Sequence, residues 1–373
     1  MAVRGLATCR PLPDPDHLAL PEIRIDQLTG GRVLIAPGRA ERPDDFSPDR
    51  WQPSGREGCP FCEGNEAATP PEVEAERPEG GATDGPGWRT RTVPNLYPAV
   101  KPRDAGESET VSRSGDRPGA ESSAFSSPAD PLLASGRGSE PDMFSSRPAH
   151  GSHEVIVNSP DHQASLAGLD EAGLAAAVQA WRSRMRAHRD AAYVQLILNQ
   201  GPDSGASLEH SHAQLGAMEF VPPAVARERE RVGAYRERTA GASLLGEILR
   251  EEIRRGERLV AIDDEVALIC PWASRHPYAM RLIPRRPTAR FEEDEGGASM
   301  LGRALAALTG LFGDPCQLNL WVRTAPRGVE HFHWHLDLIP RLESASAFEM
   351  ATGVDINIVT PEAAAKMLRE AIG

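Results

Sequence analysis

The sequence of 373 residues has no apolar run of about 18 residues, the length that a membrane-spanning helix requires. Its first residues, MAVRGLATCRPLPDPDH, contain no apolar segment typical of a signal peptide. We therefore expect neither a transmembrane helix nor a secretion signal.

Cysteine is also scarce. The odd number of cysteines and their wide spacing are unlike a disulfide framework. A reducing cytoplasm is therefore the expected location. The five cysteines are Cys9, Cys59, Cys62, Cys270 and Cys316.

Positive charge is in the minority, with 41 Lys and Arg against 54 Asp and Glu and a net charge of −13. Such a surface argues against general binding to nucleic acid or to an anionic membrane. A small anionic ligand in a local basic pocket remains compatible with it, so we expect small-molecule partners. The length and the hydrophobic content of 40% are sufficient for one large domain or two half-domains with a core.

The order of predicted elements repeats along the chain. Each half contains two strands, a helix, another strand and finally a strand with a His-x-His pattern. The predicted organisation is a loose arm over 1–20, a first half over 21–222 and a second half over 223–373. Residues 103–148 are rich in Ser, Gly, Pro and charge, and we expect a disordered insertion there.

Helical spacing of apolar residues predicts helices over 166–191 and 297–313, and a broken helical stretch from Pro223 to about Arg258. Alternating segments predict strands at 153–160, 193–200, 317–326 and 331–341. The last strand carries three alternating histidines, which are predicted to share one face. A second metal site and a partly buried strand without a ligand are both compatible with His331, His333 and His335.

Cys59 and Cys62 form a C-x-x-C motif within a segment rich in Gly and Pro. Two thiolates at this spacing in a tight turn can coordinate one Zn²⁺ ion. A pair of free thiols or a redox pair is the alternative. Zinc needs two further ligands, and the best candidates are His162 and His210.

The segment His210-Ser211-His212-Ala213-Gln214 is the most informative in the chain. On an extended strand, residues 210, 212 and 214 point to the same side. A neutral imidazole can attack phosphorus and split a transfer into two steps. Gln214 can donate a hydrogen bond to a phosphoryl oxygen, so the motif predicts transfer of a phosphorus-containing group through an imidazole. Two half-buried structural histidines are the alternative interpretation.

A Gly- and Ser-containing loop, NQGPDSGAS (199–207), precedes this motif. Gly201 and Gly205 allow close approach of the backbone to a ligand, and Ser204 and Ser207 offer hydroxyl groups. A loop of this kind suits phosphate oxygens.

Two arginines, Arg39 and Arg42, follow a predicted strand near the N-terminus. At this spacing, two guanidinium groups could hold phosphate oxygens. A solvated turn is the alternative.

These motifs together resemble the galactose-1-phosphate uridylyltransferase family of the histidine-triad superfamily, over roughly 20–103 and 150–371. The resemblance implies an α+β fold in which two histidine-triad-like halves form one extended, mostly antiparallel sheet flanked by helices, usually as a homodimer. In this superfamily the motif of the hydrolases is similar to His-x-His-x-His, whereas the motif of the transferases has Gln in place of the last His. Gln214 places the chain on the transferase side. The segments that carry the resemblance are RIDQLTGGRVLIAPGRAERP, CPFCEGNE, VPNLYPAV, HEVIVNSPDH, LNQGPDSGASLEHSHAQ, HFHWHLDLIPR and FEMATGVDINIVTPEAAAKMLRE.

The resemblance also implies roles for individual residues. His212 corresponds to the nucleophile and Gln214 to the residue that stabilises the intermediate. A structural zinc ion is implied at Cys59, Cys62, His162 and His210. Substrate contacts are implied at Arg39, Arg42, Asn199 and Ser207 for phosphate, and at Asn95 for the nucleoside.

Some features depart from the family pattern. Certain members have a second metal bound by a Glu and three His; Glu228, His333 and His335 match that set, but Arg323 stands where the remaining His is expected. Glu209 precedes the first motif His, where the galactose enzymes have Pro. The segment FEMATGVDIN is closer to a branch that includes plant ADP-glucose phosphorylase-like proteins.

Three functions are therefore considered. The first is transfer of UMP between UDP-glucose and galactose 1-phosphate, in galactose metabolism, through a uridylyl-histidine. The second is a related activity, such as that of an ADP-sugar phosphorylase or a dinucleoside polyphosphate phosphorylase. The third, from a different class, is a non-catalytic protein that binds nucleotide sugars.

Overall fold

The computed structural model describes residues 20–41, 51–53, 55–103, 146, 148–343 and 346–372. The arm predicted over 1–20 and the insertion predicted over 103–148 lie almost wholly outside these residues. Arg42 also lies outside them. Within the described residues, none of the helices is both long and apolar enough to cross a membrane.

The described strands are short, and most of them lie in one sheet. They are β1 (Glu22–Ile25), β2 (Arg32–Ile35), β3 (Glu74–Glu76), β4 (Thr90–Pro94), β5 (Gly151–Val157), β6 (Tyr193–Gln200), β7 (His212–Met218), β8 (Leu259–Ile262), β9 (Val266–Ile269), β10 (Met280–Pro284), β11 (Leu318–Arg323), β12 (His335–Pro340) and β13 (Asp355–Asn357). The described α-helices are α1 (Glu171–Ala187), α2 (Pro223–Arg238), α3 (Leu244–Arg255), α4 (Ala298–Phe312), α5 (Ala347–Thr352) and α6 (Pro361–Ile372).

A ten-stranded sheet spans both halves of the chain, in the order β3-β4-β5-β7-β6-β11-β12-β10-β9-β8. Each adjacent pair of strands in it is antiparallel. The two halves join where β6 pairs with β11, with Leu318 opposite Gln200 and Trp321 opposite Ile197. A separate three-stranded sheet has the order β1-β2-β13.

The two faces of the large sheet differ in character because side chains alternate along each strand. One face contributes apolar residues to a core that also contains residues of α1, α4 and α6. On the other face, α2 and α3 pack near β9 and β10, where Leu249 and Ile269 belong to one apolar cluster. Over the central strands, that second face has partly exposed polar groups such as Gln214 and Asn199. The sheet therefore has an accessible polar surface at its centre.

The predicted fold class is confirmed: the structure is α+β, with one extended, mostly antiparallel sheet flanked by helices. Solved structures discussed below share it. The boundary between halves at residues 222 and 223 stays a prediction.

Some predicted elements have different ends. The helix predicted from residue 166 begins at Glu171, because the Asp170 side chain accepts a hydrogen bond from the Gly173 amide and caps it there. Residues Leu166–Gly168 form a separate 3₁₀ turn.

The prediction that three histidines share one strand near the C-terminus is wrong. β12 begins only at His335, and His331 and His333 precede it. The reason is pairing: His335 lies opposite Arg323, the last residue of β11, so no strand remains beside the two earlier histidines.

Candidate active site

A compact group of four side chains forms at one end of β7. Cys59 and Cys62 lie in a turn that precedes β3. His162 lies in the loop after β5, and His210 lies just before β7. Their ligand atoms all lie within 4.8 Å of one another. His210 Nδ1 is 3.5 Å from Cys59 Sγ and 3.6 Å from Cys62 Sγ, and His162 Nδ1 is 3.4 Å from Cys62 Sγ.

The protonation states suit a metal. His210 Nε2–H donates to the Ser159 carbonyl oxygen at 2.8 Å, which leaves the Nδ1 lone pair facing the sulfurs. Burial lowers the pKa of His210 to about 4, so the ring is neutral at neutral pH. Burial, with Cys59 close by, raises the pKa of Cys62 to about 11, and a cation would be needed to hold two thiolates there. This Cys₂His₂ set can bind a metal such as zinc.

His212, the first residue of β7, is held in one tautomer. Its Nδ1–H donates to the His210 carbonyl oxygen at 2.7 Å, so Nε2 carries the lone pair. Burial lowers the pKa of His212, which favours the neutral, nucleophilic ring. Phe61 packs against it with the ring centroids 5.1 Å apart. Sequence reasoning gave Phe61 no role, although the CPFC motif contains it.

Gln214 lies two residues along β7 from His212, on the same side of the strand. Its Oε1 is 3.1 Å from His153 Nε2 on the neighbouring β5. His153 also accepts a hydrogen bond at Nδ1 from the Ala99 amide, at 3.1 Å. Sequence reasoning assigned no role to His153, although it begins the strand segment HEVIVNSP.

The Gly- and Ser-containing loop lies beside the same end of the sheet. Leu198 pairs with Ala213, so the next residue along β6, Asn199, lies close to His212. The Asn199 oxygen accepts from Asn319 Nδ2 at 2.8 Å, which leaves the Asn199 amide hydrogens to donate.

The serines of this loop have different positions. The Ser204 hydroxyl is buried and donates to the Gly201 carbonyl oxygen at 2.6 Å, so it stabilises the loop itself. Ser207 is exposed. Only Ser207 therefore presents its side chain to solvent, where a ligand could reach it.

Asn95 immediately follows β4 and contacts the same region. Its backbone N–H donates to the His153 carbonyl oxygen at 2.8 Å, and its side-chain oxygen accepts from the Tyr97 backbone N–H at 2.9 Å. The Asn95 side chain is thus near His153 and, through it, near Gln214.

Arg39 has a different location. It lies in the 3₁₀ turn Pro37–Glu41 after β2, in the small sheet. Its charge acts on the carboxylates of Glu343 and Glu349. A phosphate contact of Arg39 stays a prediction, as does that of Arg42.

The residues implied for a second metal do not fit one. His333 Nε2–H donates to the Pro284 carbonyl oxygen at 2.7 Å, and its Nδ1 faces the Ser243 hydroxyl at 3.4 Å. Both nitrogens thus have partners other than Glu228.

The positive charge beside Glu228 comes from the guanidinium group of Arg323, and not from the second metal ion that the resemblance implies for some family members. Arg323 Nε lies 3.3 Å from Glu228 Oε2, whereas His335 Nδ1 is 3.8 Å from Glu228 Oε1. Glu228 is buried, and so requires a positive partner when ionised. Arg323 supplies such a charge without a metal, and burial still outweighs it, raising the pKa of Glu228 to about 7.

Comparisons with known proteins find relatives along most of the chain. A sequence profile described as galactose-1-phosphate uridyl transferase, N-terminal domain, matches residues 123–222. ADP-glucose phosphorylase of Arabidopsis thaliana is 29% identical over 370 residues, which cover 94% of this chain and 93% of that protein. Galactose-1-phosphate uridylyltransferase of Thermotoga maritima is 26% identical over 369 residues, covering 94% and 98%.

The fold comparison extends over the same length. A crystal structure of the Arabidopsis thaliana ADP-glucose phosphorylase with bound ADP-glucose superposes with a TM-score of 0.70 at 27% identity, covering 94% of this chain and 99% of that one. These relatives cover both halves of the large sheet. The comparisons confirm the resemblance of this chain to the galactose-1-phosphate uridylyltransferase family and support an enzyme of the nucleotidyltransferase type.

Proposed function

We propose that this enzyme transfers a nucleoside monophosphate from a nucleoside diphosphate sugar through a covalent intermediate on His212. The observation that carries the proposal is the fixed tautomer of His212, whose Nδ1–H is bound to the His210 carbonyl oxygen. Its Nε2 lone pair is therefore available as a nucleophile.

The first step forms a bond between His212 Nε2 and the α-phosphorus of the nucleotide sugar. The bond from the α-phosphorus to the bridging oxygen breaks, and the sugar 1-phosphate leaves with that electron pair. Gln214 donates a hydrogen bond to the α-phosphoryl oxygen, where negative charge increases in the transition state. In the second step an acceptor phosphate oxygen attacks the same phosphorus and His212 leaves, so the two substrates bind in turn.

Contacts to the substrate are assigned by position. Asn199 and Ser207 flank the loop beside His212 and are proposed to bind phosphate oxygens. Asn95 is proposed to contact the nucleoside. Arg39 and Arg42 are proposed as additional phosphate contacts.

Cys59, Cys62, His162 and His210 would hold the metal, which we propose to be structural zinc. When bound, the ion locks the end of β7, and it supplies no step of the reaction. His210 carries both the ligand nitrogen and the carbonyl that orients His212.

UMP transfer between UDP-glucose and galactose 1-phosphate is the first candidate reaction. It is supported by the family profile and by the named activity of the Thermotoga maritima relative. A homodimer in the cytoplasm is proposed with it.

ADP-glucose phosphorolysis is the second candidate. The relative that is 29% identical over 370 residues is named for that activity, and its solved structure contains ADP-glucose. The chemistry at His212 would be the same, with AMP as the transferred group and phosphate as the acceptor. A binding protein without catalysis is less compatible with an oriented, neutral His212 beside Gln214.

The experiment is an intact-mass measurement under non-acidic conditions, after mixing the protein with UDP-glucose or ADP-glucose without acceptor. We expect a nucleoside monophosphate adduct that is absent in His212→Ala and present in His188→Ala, a histidine outside the site. A UMP adduct supports the first candidate and an AMP adduct the second. No adduct from folded, zinc-loaded protein with either sugar would contradict the covalent mechanism.

A further inference from the structure

The side-chain amide of Gln214 has two orientations of nearly equal shape and opposite chemistry. In one, the NH₂ group faces the substrate and donates to a phosphoryl oxygen. In the other, the carbonyl oxygen faces the substrate and repels the same charge. Neighbouring hydrogen bonds decide which orientation forms.

His153 provides such a hydrogen bond. Gln214 pairs with Val155 across β5 and β7, and His153 pairs with Gly216. His153 is therefore a diagonal neighbour of Gln214 on the same face of the sheet. The residue directly opposite His153 is a glycine, so no side chain separates the imidazole from the amide.

The tautomer of His153 follows from its second contact. Its Nδ1 lies 3.1 Å from the Ala99 backbone nitrogen, which can only donate. Nδ1 is then the acceptor, and the ring proton of the neutral imidazole is on Nε2. That Nε2–H points at Gln214 Oε1, at 3.1 Å.

Asn95 is the other side chain near this proton, and it is not an acceptor for it. Asn95 Nδ2 is 3.3 Å from His153 Nε2, but the Asn95 oxygen already accepts from the Tyr97 amide at 2.9 Å. The Asn95 group near His153 is thus a donor, and two donors do not bond. Gln214 Oε1 is the acceptor for His153.

We propose that His153 is a positioning residue that fixes the amide of Gln214 with its NH₂ group toward the phosphoryl group carried by His212. This inference rests on the proposed function for its catalytic consequence. Two hydrogen bonds do not depend on the proposed function. One is from the Ala99 backbone N–H to His153 Nδ1, and the other is from His153 Nε2–H to Gln214 Oε1. His153 itself touches no reacting atom.

The test compares His153→Leu, which keeps volume but removes the donor, with His153→Gln, which can still donate to Gln214. For single-turnover transfer, we expect His153→Leu to lower the rate about tenfold, corresponding to loss of one hydrogen bond, with little change in substrate KM. His153→Gln should recover most of the rate. His188→Gln is the control, because His188 contacts Glu154 from the opposite side of β5.

A double-mutant cycle separates positioning from a general structural effect. In a Gln214→Ala background, adding His153→Leu should cause no further loss. An equal loss in both backgrounds, or no loss in His153→Leu alone, would overturn the proposal.

A second measurement does not depend on turnover. Nitrogen-15 NMR of the folded protein should show His153 protonated at Nε2 and not at Nδ1. The opposite tautomer overturns the inference even if transfer is observed. Absence of transfer by the wild-type protein, with the Nε2–H tautomer present, contradicts the proposed function but not the His153–Gln214 contact.

Discussion

The carbonyl oxygen of His210 lies 2.7 Å from Nδ1 of His212, so a residue of the proposed metal set directly orients the proposed nucleophile. The His210 ring faces the two cysteines while its backbone faces His212. Displacement of His210 would therefore change both groups. The proposed metal set and the proposed nucleophile are coupled through one peptide unit.

Removal of one metal ligand should consequently reduce both metal content and transfer. We expect Cys59→Ser to lower the bound zinc well below one ion per chain and to lower the melting temperature, because a structural ion contributes folding free energy. Metal analysis and thermal unfolding measure these effects. Cys316→Ser, which changes a buried cysteine outside the set, should keep the zinc content; loss of zinc there too would contradict the assignment.

The pair formed by Arg323 and Glu228 should stabilise the fold without any metal. Arg323→Met leaves a buried carboxyl group without its nearby cation, and we expect a loss in the free energy of unfolding below the about 3–5 kcal/mol of a fully ionised buried pair, because burial raises the pKa of Glu228 to about 7 and the group can take up a proton. Urea denaturation measures it. The double variant Arg323→Met with Glu228→Gln should recover most of that loss, and metal content should equal that of the wild type. A second bound ion in the wild type would contradict this interpretation.

Acid should weaken the contact between β5 and α1. Burial alone would raise the pKa of Glu154, but hydrogen bonds from His188 and Arg184 outweigh burial and lower it from 4.5 to about 2. Because the folded pKa is depressed, this stabilisation is present above pH 4.5 and is lost as the pH falls toward 2.

Urea denaturation between pH 3 and 7 tests this effect, because this range includes the upper part of the interval between the folded pKa of about 2 and the ordinary value of 4.5. Glu154→Gln should have a lower free energy of unfolding at pH 7 and a smaller loss on acidification. Glu247→Gln, at an exposed pair with Arg250, should behave like the wild type within about 0.5 kcal/mol. An unchanged pH slope in Glu154→Gln would exclude this role.

The loop before the HSHAQ motif should depend on Gly201 more than on Gly205. Both have positive φ, +89° and +86°, but a Cβ on Gly201 would lie 2.6 Å from Gln317 Cγ, whereas on Gly205 its nearest neighbour would be 3.9 Å away. Gly205→Ala should therefore cost about 1–2 kcal/mol from backbone strain alone.

Gly201→Ala should cost more and should raise the KM for the nucleotide sugar, because the loop must shift. Thermal unfolding and steady-state kinetics measure the two effects. Gly233→Ala on α2 is the control, since a Cβ there would meet nothing within 4 Å. Equal effects of the two loop substitutions would contradict the role of the Gln317 contact.

Local patterns were sufficient to predict much of the candidate site. Alternation along a strand places His212 and Gln214 on one side, and the C-x-x-C spacing indicated two of the four residues that the structure brings together as a possible metal set. Both inferences need only a few residues of backbone geometry. The fold class followed from the family resemblance.

Cross-strand relationships could not be predicted in the same way. The partner of Gln214 is His153, which is distant in sequence and becomes a neighbour only through the pairing of β5 with β7. The position of His333 likewise depends on where β11 ends, and not on its own alternating sequence. Arg323 was recognised as a departure, but its contact with Glu228 required the packing of α2 on the sheet.

The pairing of β6 with β11 also determines how the two halves depend on each other. These strands lie in the middle of the ten-stranded sheet, so cutting the chain between the halves would leave each half with an unpaired edge. An exposed edge of this kind is a template for pairing with other chains. Separate halves would therefore tend to aggregate or to associate again along this edge, and the single polypeptide link keeps their interface intramolecular.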